Sequence, residues 1–196
     1  VSVSTKEMRG LPHISRMAPF VIASTDIECI SETDEFPDPI RVHDKIICIG
    51  TTFQRCGFEE TTVKVVQCLY EHNQHRNQED TNQDGIQFLF YKTERELLNA
   101  WRDLVTIYTQ ADVVIGYNLF GFDYEYMNKR AMVCGAERFL YLGKIINHPT
   151  ETTFKELSSG ALGKNMLCDI PMVGCVTIDL FQWIKSRFKL PQYTLN

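Results

Sequence analysis

Apolar and polar residues along the chain fall into short strand-length runs separated by three segments of helical period. The run from Phe20 to Glu28 is apolar at its start and ends in carboxylates, the pattern of a buried strand reaching the edge of a sheet. A polar, proline-bearing loop follows through Phe36-Pro37-Asp38-Pro39. Lys45 to Phe53 and Thr61 to Tyr70 are β-branched or alternating runs, and with the first strand they predict an antiparallel meander. Glu71 to Gly85 carries little apolar content and reads as an exposed loop, after which Ile86 to Tyr91 resumes a short strand.

Thr93-x-x-Glu96 is a capping-box signature, because a threonine hydroxyl and a glutamate three residues on can satisfy each other's backbone N–H groups. It opens a helix whose apolar stripe is Leu97, Leu98, Trp101, Leu104, Val105 and Tyr108. Asp112 to Tyr117 is a continuous apolar strand. It leads into a helix from about Phe122 to Cys134, closed by Gly135 as a left-handed cap. Lys144 to Val173 contains Pro149, Gly160, Gly163 and Pro171 and reads as a loop or hairpin excursion. Cys175 to Asp179 predicts a last strand and Leu180 to Phe188 a last helix. Residues 1–19 are weakly patterned and read as a linker or the tail of a preceding domain, leaving 20–196 as one folding unit.

Composition narrows the class. With 44% hydrophobic and 23% charged residues among 196, the chain has material for a single core and is unlike a disordered segment. No apolar run approaches the roughly 18 residues a membrane-spanning helix needs, so no membrane partner is expected. Neither an initiator Met nor a signal peptide is visible, which suggests a piece of a longer chain. The seven cysteines include no Cys-x-x-Cys pair and read as reduced thiols packed as small hydrophobes, consistent with an intracellular protein. His72 and His75 share a polar stretch but lack further ligands at finger-like spacing. A net charge of −5 argues against a free-standing domain that grips duplex DNA by charge alone. It leaves open a nuclease whose acidic site holds cations.

The candidate chemistry lies in three carboxylates. Asp26 and Glu28 are two apart on a strand, so they share one face while Ile27 points into the core. Two anionic groups this close need a cation, and an oxygen-only donor set suits Mg²⁺ or Mn²⁺. Asp123 begins a helix, where the dipole favours a negative carboxylate and predicts an ionised group at neutral pH. If the Asp112 to Asn118 strand lies beside the first strand, Asp26, Glu28 and Asp123 converge. Such a cluster can hold two metal ions roughly 3.5–4 Å apart for phosphodiester hydrolysis. Alone, an Asp-x-Glu at a strand end is usually a solvated terminus and a Phe-Asp at a helix start usually a cap. The order and structural context of the two together carry the reading.

These motifs resemble the exonuclease domain of family B DNA polymerases, most closely the delta class. Asp26-Ile27-Glu28-Cys29 resembles the first exonuclease motif, and Gly116-Tyr117-Asn118-x-x-x-Phe122-Asp123 the second. Phe36-Pro37-Asp38-Pro39, Thr93-Glu94-Arg95-Glu96-Leu97-Leu98, Phe139-Leu140-x-Leu142-Gly143 and Tyr193-Thr194-Leu195-Asn196 are also similar to delta-class sequence. Leu157-Ser158-Ser159-x-Ala161-Leu162-Gly163 looks closest to delta-like polymerases of large DNA viruses.

The resemblance implies an α/β fold, a ribonuclease H-like mixed sheet flanked by helices of the DEDD-type 3′→5′ exonuclease class, truncated at its C-terminus. It implies Asp26, Glu28 and Asp123 as catalytic metal ligands and two Mg²⁺ or Mn²⁺ ions in the complete site. Asn118 and Phe122 would position the primer terminus, although Phe122 has a core role as a rival reading. The implied partners are a single-stranded 3′ DNA end, the polymerase domain of the same parent chain and a sliding clamp, in a host nucleus or viral replication compartment. The excursion from Lys144 to Val173 would help separate a frayed 3′ end. The family's third motif, Tyr-x-x-x-Asp, and the polymerase motifs are missing, so the expectation is a weak or inactive fragment of a proofreading polymerase. Asp169 and Asp179 fit no such motif, and Asp179 reads as a strand-end residue. A catalytically decayed module that only positions DNA is the alternative.

Overall fold

A computed structural model describes residues 4, 6, 9–10, 12–16, 18–58, 62–72, 85–159 and 163–195, with backbone alone at 72, 157–159 and 163–165. His75, most of the predicted loop before Gly85 and residues 160–162 lie outside the described residues.

Strands β1 (Val21–Cys29), β2 (Ile46–Arg55) and β3 (Val63–Leu69) form the predicted antiparallel meander. β4 (Ile86–Tyr91) adds parallel to β3 at one edge. On the other side of β1 lie β5 (Val113–Gly116) and then β8 (Val176–Asp179), both parallel to their neighbours. The result is one mixed six-stranded sheet in the order β4-β3-β2-β1-β5-β8, with β1 inside it. β6 (Thr153–Ser159) and β7 (Gly163–Asp169) pair as a separate antiparallel hairpin within the predicted excursion. Among the described residues no helix is long and apolar enough to cross a membrane.

The alternation read from β1 is present in space. Ala23, Thr25 and Ile27 are buried while Asp26 and Glu28 are exposed on the opposite face. The buried set joins Ile49, Phe53, Val65 and the stripe Leu97, Leu98 and Trp101 of helix α1 (Glu94–Asp103). Burial of each such side chain contributes on the order of 1.5–3 kcal/mol, so this face is the main source of stability. The capping box forms as expected: Thr93 Oγ1 accepts from the Glu96 N–H at 3.2 Å, and Glu96 Oε2 accepts from the Thr93 N–H at 3.2 Å.

The stripe of α1 departs from its predicted course after Asp103. Leu104–Tyr108 is a π-helical turn, which shifts the register and leaves Tyr108 78% exposed although its spacing predicted the core. Hydroxyl competition accompanies the shift, with Thr106 Oγ1 donating to the Arg102 carbonyl and Thr109 Oγ1 to the Leu104 carbonyl.

Helix α2 (Asp123–Val133) ends at Cys134, and Gly135 takes φ +69°, the left-handed geometry predicted for its cap. Helix α3 (Leu180–Arg187) follows β8 directly. None of the cysteines is in a disulfide, and burial pushes the Cys29 and Cys168 thiols up to about 12, which keeps them protonated.

Candidate active site

The site is assembled where β1 and β5 run side by side. Ile22, Ala23 and Ser24 pair with Val113, Val114 and Ile115, so the carboxylate end of β1 lies next to the exit of β5. This is the adjacency the three-carboxylate reading required. Beneath it, the buried Trp101 indole N–H donates to Thr25 Oγ1 at 3.3 Å and Thr51 Oγ1 at 3.2 Å, and the two hydroxyls are themselves 3.2 Å apart. The residue preceding Asp26 is thereby held by α1 and β2 together. A methyl group on Gly116 would come within 2.9 Å of the Thr25 carbonyl oxygen, so only glycine lets β5 end this close to β1.

Beyond Gly116 the backbone turns sharply. Asn118 takes φ +62°, a left-handed conformation that asparagine tolerates better than most residues. Its backbone carbonyl accepts from the Gly121 and Phe122 N–H groups at 3.0 Å. Its side chain folds back over Gly121, where an added Cβ would lie 2.3 Å from Asn118 Oδ1. The turn delivers Asp123 as the first residue of α2. On its outer side, buried Asp179 accepts from the Asn118 and Phe120 N–H groups at 3.0 Å each.

Asp123 is 3% exposed, and its Oδ1 is buried without a hydrogen-bond partner. Desolvation pushes its carboxyl up to about 7, and the nearby Asp26 carboxylate adds to the rise. Backbone amides of Asp123 and Ile27 pull the other way, and Asp179 raises it further. The expectation of an ionised Asp123 is therefore corrected: without a cation, burial and a like charge outweigh the helix N-terminus, and the group is poised near neutrality.

The structure brings Asp26 and Asp123 into electrostatic reach and sets Glu28 on the same exposed face as Asp26. It does not close the set: among the described residues, no group of three or more His, Cys, Asp or Glu side chains is gathered tightly enough to hold a metal ion. Phe122 is half-buried against the core, with its ring 5.5 Å from the exposed Phe36 ring and 5.4 Å from Tyr126. Beside Asp26, a cleft of ≈ 510 Å³ opens over Ser24, Gly50, Thr52, Tyr117 and Leu195.

Residues 1–196 match the family described as DNA polymerase family B, exonuclease domain. The chain belongs to this family. This family B exonuclease chain is 31% identical over 198 residues to a DNA polymerase of Paramecium bursaria Chlorella virus NY2A, covering 95% of the chain and 20% of the viral protein. It is 33% identical over 182 residues to the DNA polymerase delta catalytic subunit of Glycine max, covering 93% of the chain and 16% of that subunit. Against the delta catalytic subunit of Dictyostelium discoideum it is 31% identical over 196 residues, 100% of the chain and 17% of the relative. The chain thus spans a fifth or less of the length of these curated relatives and covers the exonuclease domain alone.

Two features of the family B exonuclease chain were not read from its sequence. Asp179 reads from the sequence only as a strand-end residue, yet it caps α3 and also reaches the turn before Asp123. Arg130 lies on α2 and ties down the loop after β1. It pairs with buried Glu94 at 2.5 Å and donates to the carbonyls of Pro39, Arg41 and Val42. An arginine on a helix of low amphipathicity gives no sign of this from the sequence.

Proposed function

We propose that this chain is the 3′→5′ proofreading exonuclease segment of a DNA-directed DNA polymerase used in replication, built on a ribonuclease H-like fold. Its substrate is the single-stranded 3′ end of a primer, from which it releases the terminal nucleotide as a 5′-monophosphate.

One observation carries the reading. A buried Asp123 oxygen has no partner, beside the like-charged Asp26, at the junction of β1 and β5. An unmade hydrogen bond of this kind costs about 1–3 kcal/mol, more for a charged group, and an oxygen donor set with a missing counter-charge fits a divalent cation. Asp26, Glu28 and Asp123 would hold Mg²⁺ or Mn²⁺, two ions in the complete site. Glu28 lies on the same exposed face of β1 as Asp26. When bound, the ions supply an activated water and stabilisation of the leaving oxygen.

The chain's own residues orient and exclude. Asn118, in the turn that leads to Asp123, and the half-buried Phe122 just before it position the terminal nucleotide, while Trp101 and Thr25 fix the strand that bears Asp26. The open cleft beside Asp26 leaves room for a nucleotide. Nucleotidyl transfer belongs to the polymerase domain of the same parent chain, with a sliding clamp as a further partner and a nucleus or viral replication compartment as the setting. The hairpin of β6 and β7 occupies the excursion proposed to part a frayed end from its template.

The decisive experiment is Asp26→Ala in the full-length polymerase. Hydrolysis of a mismatched 3′ end should fall by three orders of magnitude or more, on the scale of losing a metal-site contribution to the transition state, while primer extension continues. A variant that still degrades primers at the parent rate would end this reading. A wild-type protein without Mn²⁺-dependent cleavage would favour the decayed DNA-positioning module instead.

A further inference from the structure

The geometry of the loop before Asp123 points to a further positioning residue: we propose that Asp179 holds the Asn118–Phe120 turn and so sets the placement of Asn118 and Asp123 for hydrolysis. This rests on the exonuclease reading above.

Asp179 stands at the end of β8, paired in register with Gly116, the last residue of β5 before the turn. It is 3% exposed. Oδ1 accepts from Phe181 N–H at 2.9 Å and Gln182 N–H at 3.3 Å, which is the work of an ordinary helix cap. The same oxygen also accepts from Asn118 N–H at 3.0 Å, and Oδ2 accepts from Phe120 N–H at 3.0 Å. These last two bonds reach 61 and 59 residues back along the chain and contribute nothing to capping α3. A serine or threonine would cap α3 equally well, so the longer, two-oxygen carboxylate is needed for the turn.

Hydrogen bonds to an ionised acceptor are about twice as strong as neutral ones, and two of them span the residue with positive φ. Asn118 is thereby kept in a conformation it would otherwise leave readily. Its side chain rests on Gly121, and Asp123 follows two residues later, so rotation of the turn would move the Asn118 amide and the start of α2 together. A displacement of about 1 Å at such a site is enough to cost on the order of a hundredfold in rate. Asp179 touches none of the proposed reacting atoms and acts through the turn.

The test uses the full-length polymerase carrying Asp179→Ser or Asp179→Asn. Serine keeps a cap for α3 but cannot span to both loop amides. Asparagine keeps the shape but must turn its NH₂ group either toward the Phe120 N–H or toward the Asn118, Phe181 and Gln182 N–H groups. In both variants, kcat for 3′ hydrolysis should fall tenfold or more, with KM for the DNA end shifted less than threefold and primer extension unchanged. Amide exchange over Asn118–Phe120 should quicken at least tenfold, while peptides from β1 keep their protection. Asp26→Ala is the comparator, since it should abolish hydrolysis without loosening the turn. A Ser variant with kcat within twofold of the parent overturns the proposal, as does unchanged exchange at the turn; in either case a cleaving parent leaves the nuclease assignment standing. A parent that does not cleave brings down that assignment, and with it the catalytic role proposed for Asp179.

Discussion

Glu94 and Asp123 occupy the same kind of position and have opposite surroundings. Each is the first residue of a helix, α1 and α2 respectively, and each is buried, at 6% and 3% exposure. Glu94 is matched at both oxygens: Oε1 accepts from the Ile46 N–H and the Arg130 Nε–H, and Oε2 from Arg130 at 2.5 Å. Asp123 has a bare Oδ1 and a neighbouring carboxylate in place of a cation. Asp179, third of the buried carboxylates at helix starts, is matched by four backbone amides. A fold that satisfies two such groups completely could satisfy the remaining one. Of these three carboxylates only Asp123 keeps an unpartnered oxygen, whereas Glu94 and Asp179 are parts of the frame.

The largest effect expected from this contrast is on stability. Arg130→Met should strand the Glu94 charge and cost about 3–5 kcal/mol in urea denaturation, the usual penalty for breaking one side of a buried ion pair. Adding Glu94→Gln should restore a good part of it, because the stranded charge is then gone. A single variant losing under about 1 kcal/mol would put Glu94 on a level with exposed pairs and dissolve the comparison.

Next comes a pH dependence belonging to Asp123. Its carboxyl sits at about 7 in the folded state and near the ordinary 3.8 when unfolded, so between these values the native state holds a proton that the unfolded chain releases. With divalent cations chelated, that component of stability is full below about pH 4, declines as pH rises to about 7 and is flat above. Its whole span is on the order of 4 kcal/mol at most. Asp123→Asn should remove this component from a stability profile measured in chelator. Superimposable profiles for the two proteins would mean that Asp123 is not the strained group described.

The smallest effect concerns the capping box of α1, where the Thr93 and Glu96 side chains meet backbone N–H groups. Thr93→Ala removes the hydroxyl that accepts from Glu96 N–H and should cost about 1 kcal/mol, with no change in hydrolysis. A loss as large as that of Arg130→Met would show that α1 depends on its cap as much as on the Glu94 pair.

Much of this architecture was legible along the chain because it rests on local rules. Alternation set which residues of β1 face the core, the Thr93 and Glu96 spacing set the start of α1, and Gly135 set the end of α2. The carboxylate residue types and their order along the chain pointed to the edge of β1 and the start of α2. The π-helical turn escaped, since Leu104, Val105 and Tyr108 keep a helical spacing in sequence that hydroxyl competition at Thr106 and Thr109 alters in space.

The sequence by itself determined the strands, the helices, their caps and the presence of three acids at the right kinds of termini, all consequences of side-chain period and short-range hydrogen bonding. Only the tertiary structure decided which acids are matched and which is bare. Burial and proximity across many tens of residues set the state of Asp123, and parallel pairing of β5 with β8 is what carries the Asp179 carboxylate to the Asn118 turn. Electrostatics in a low-dielectric interior depends on distance in space, which no local pattern encodes.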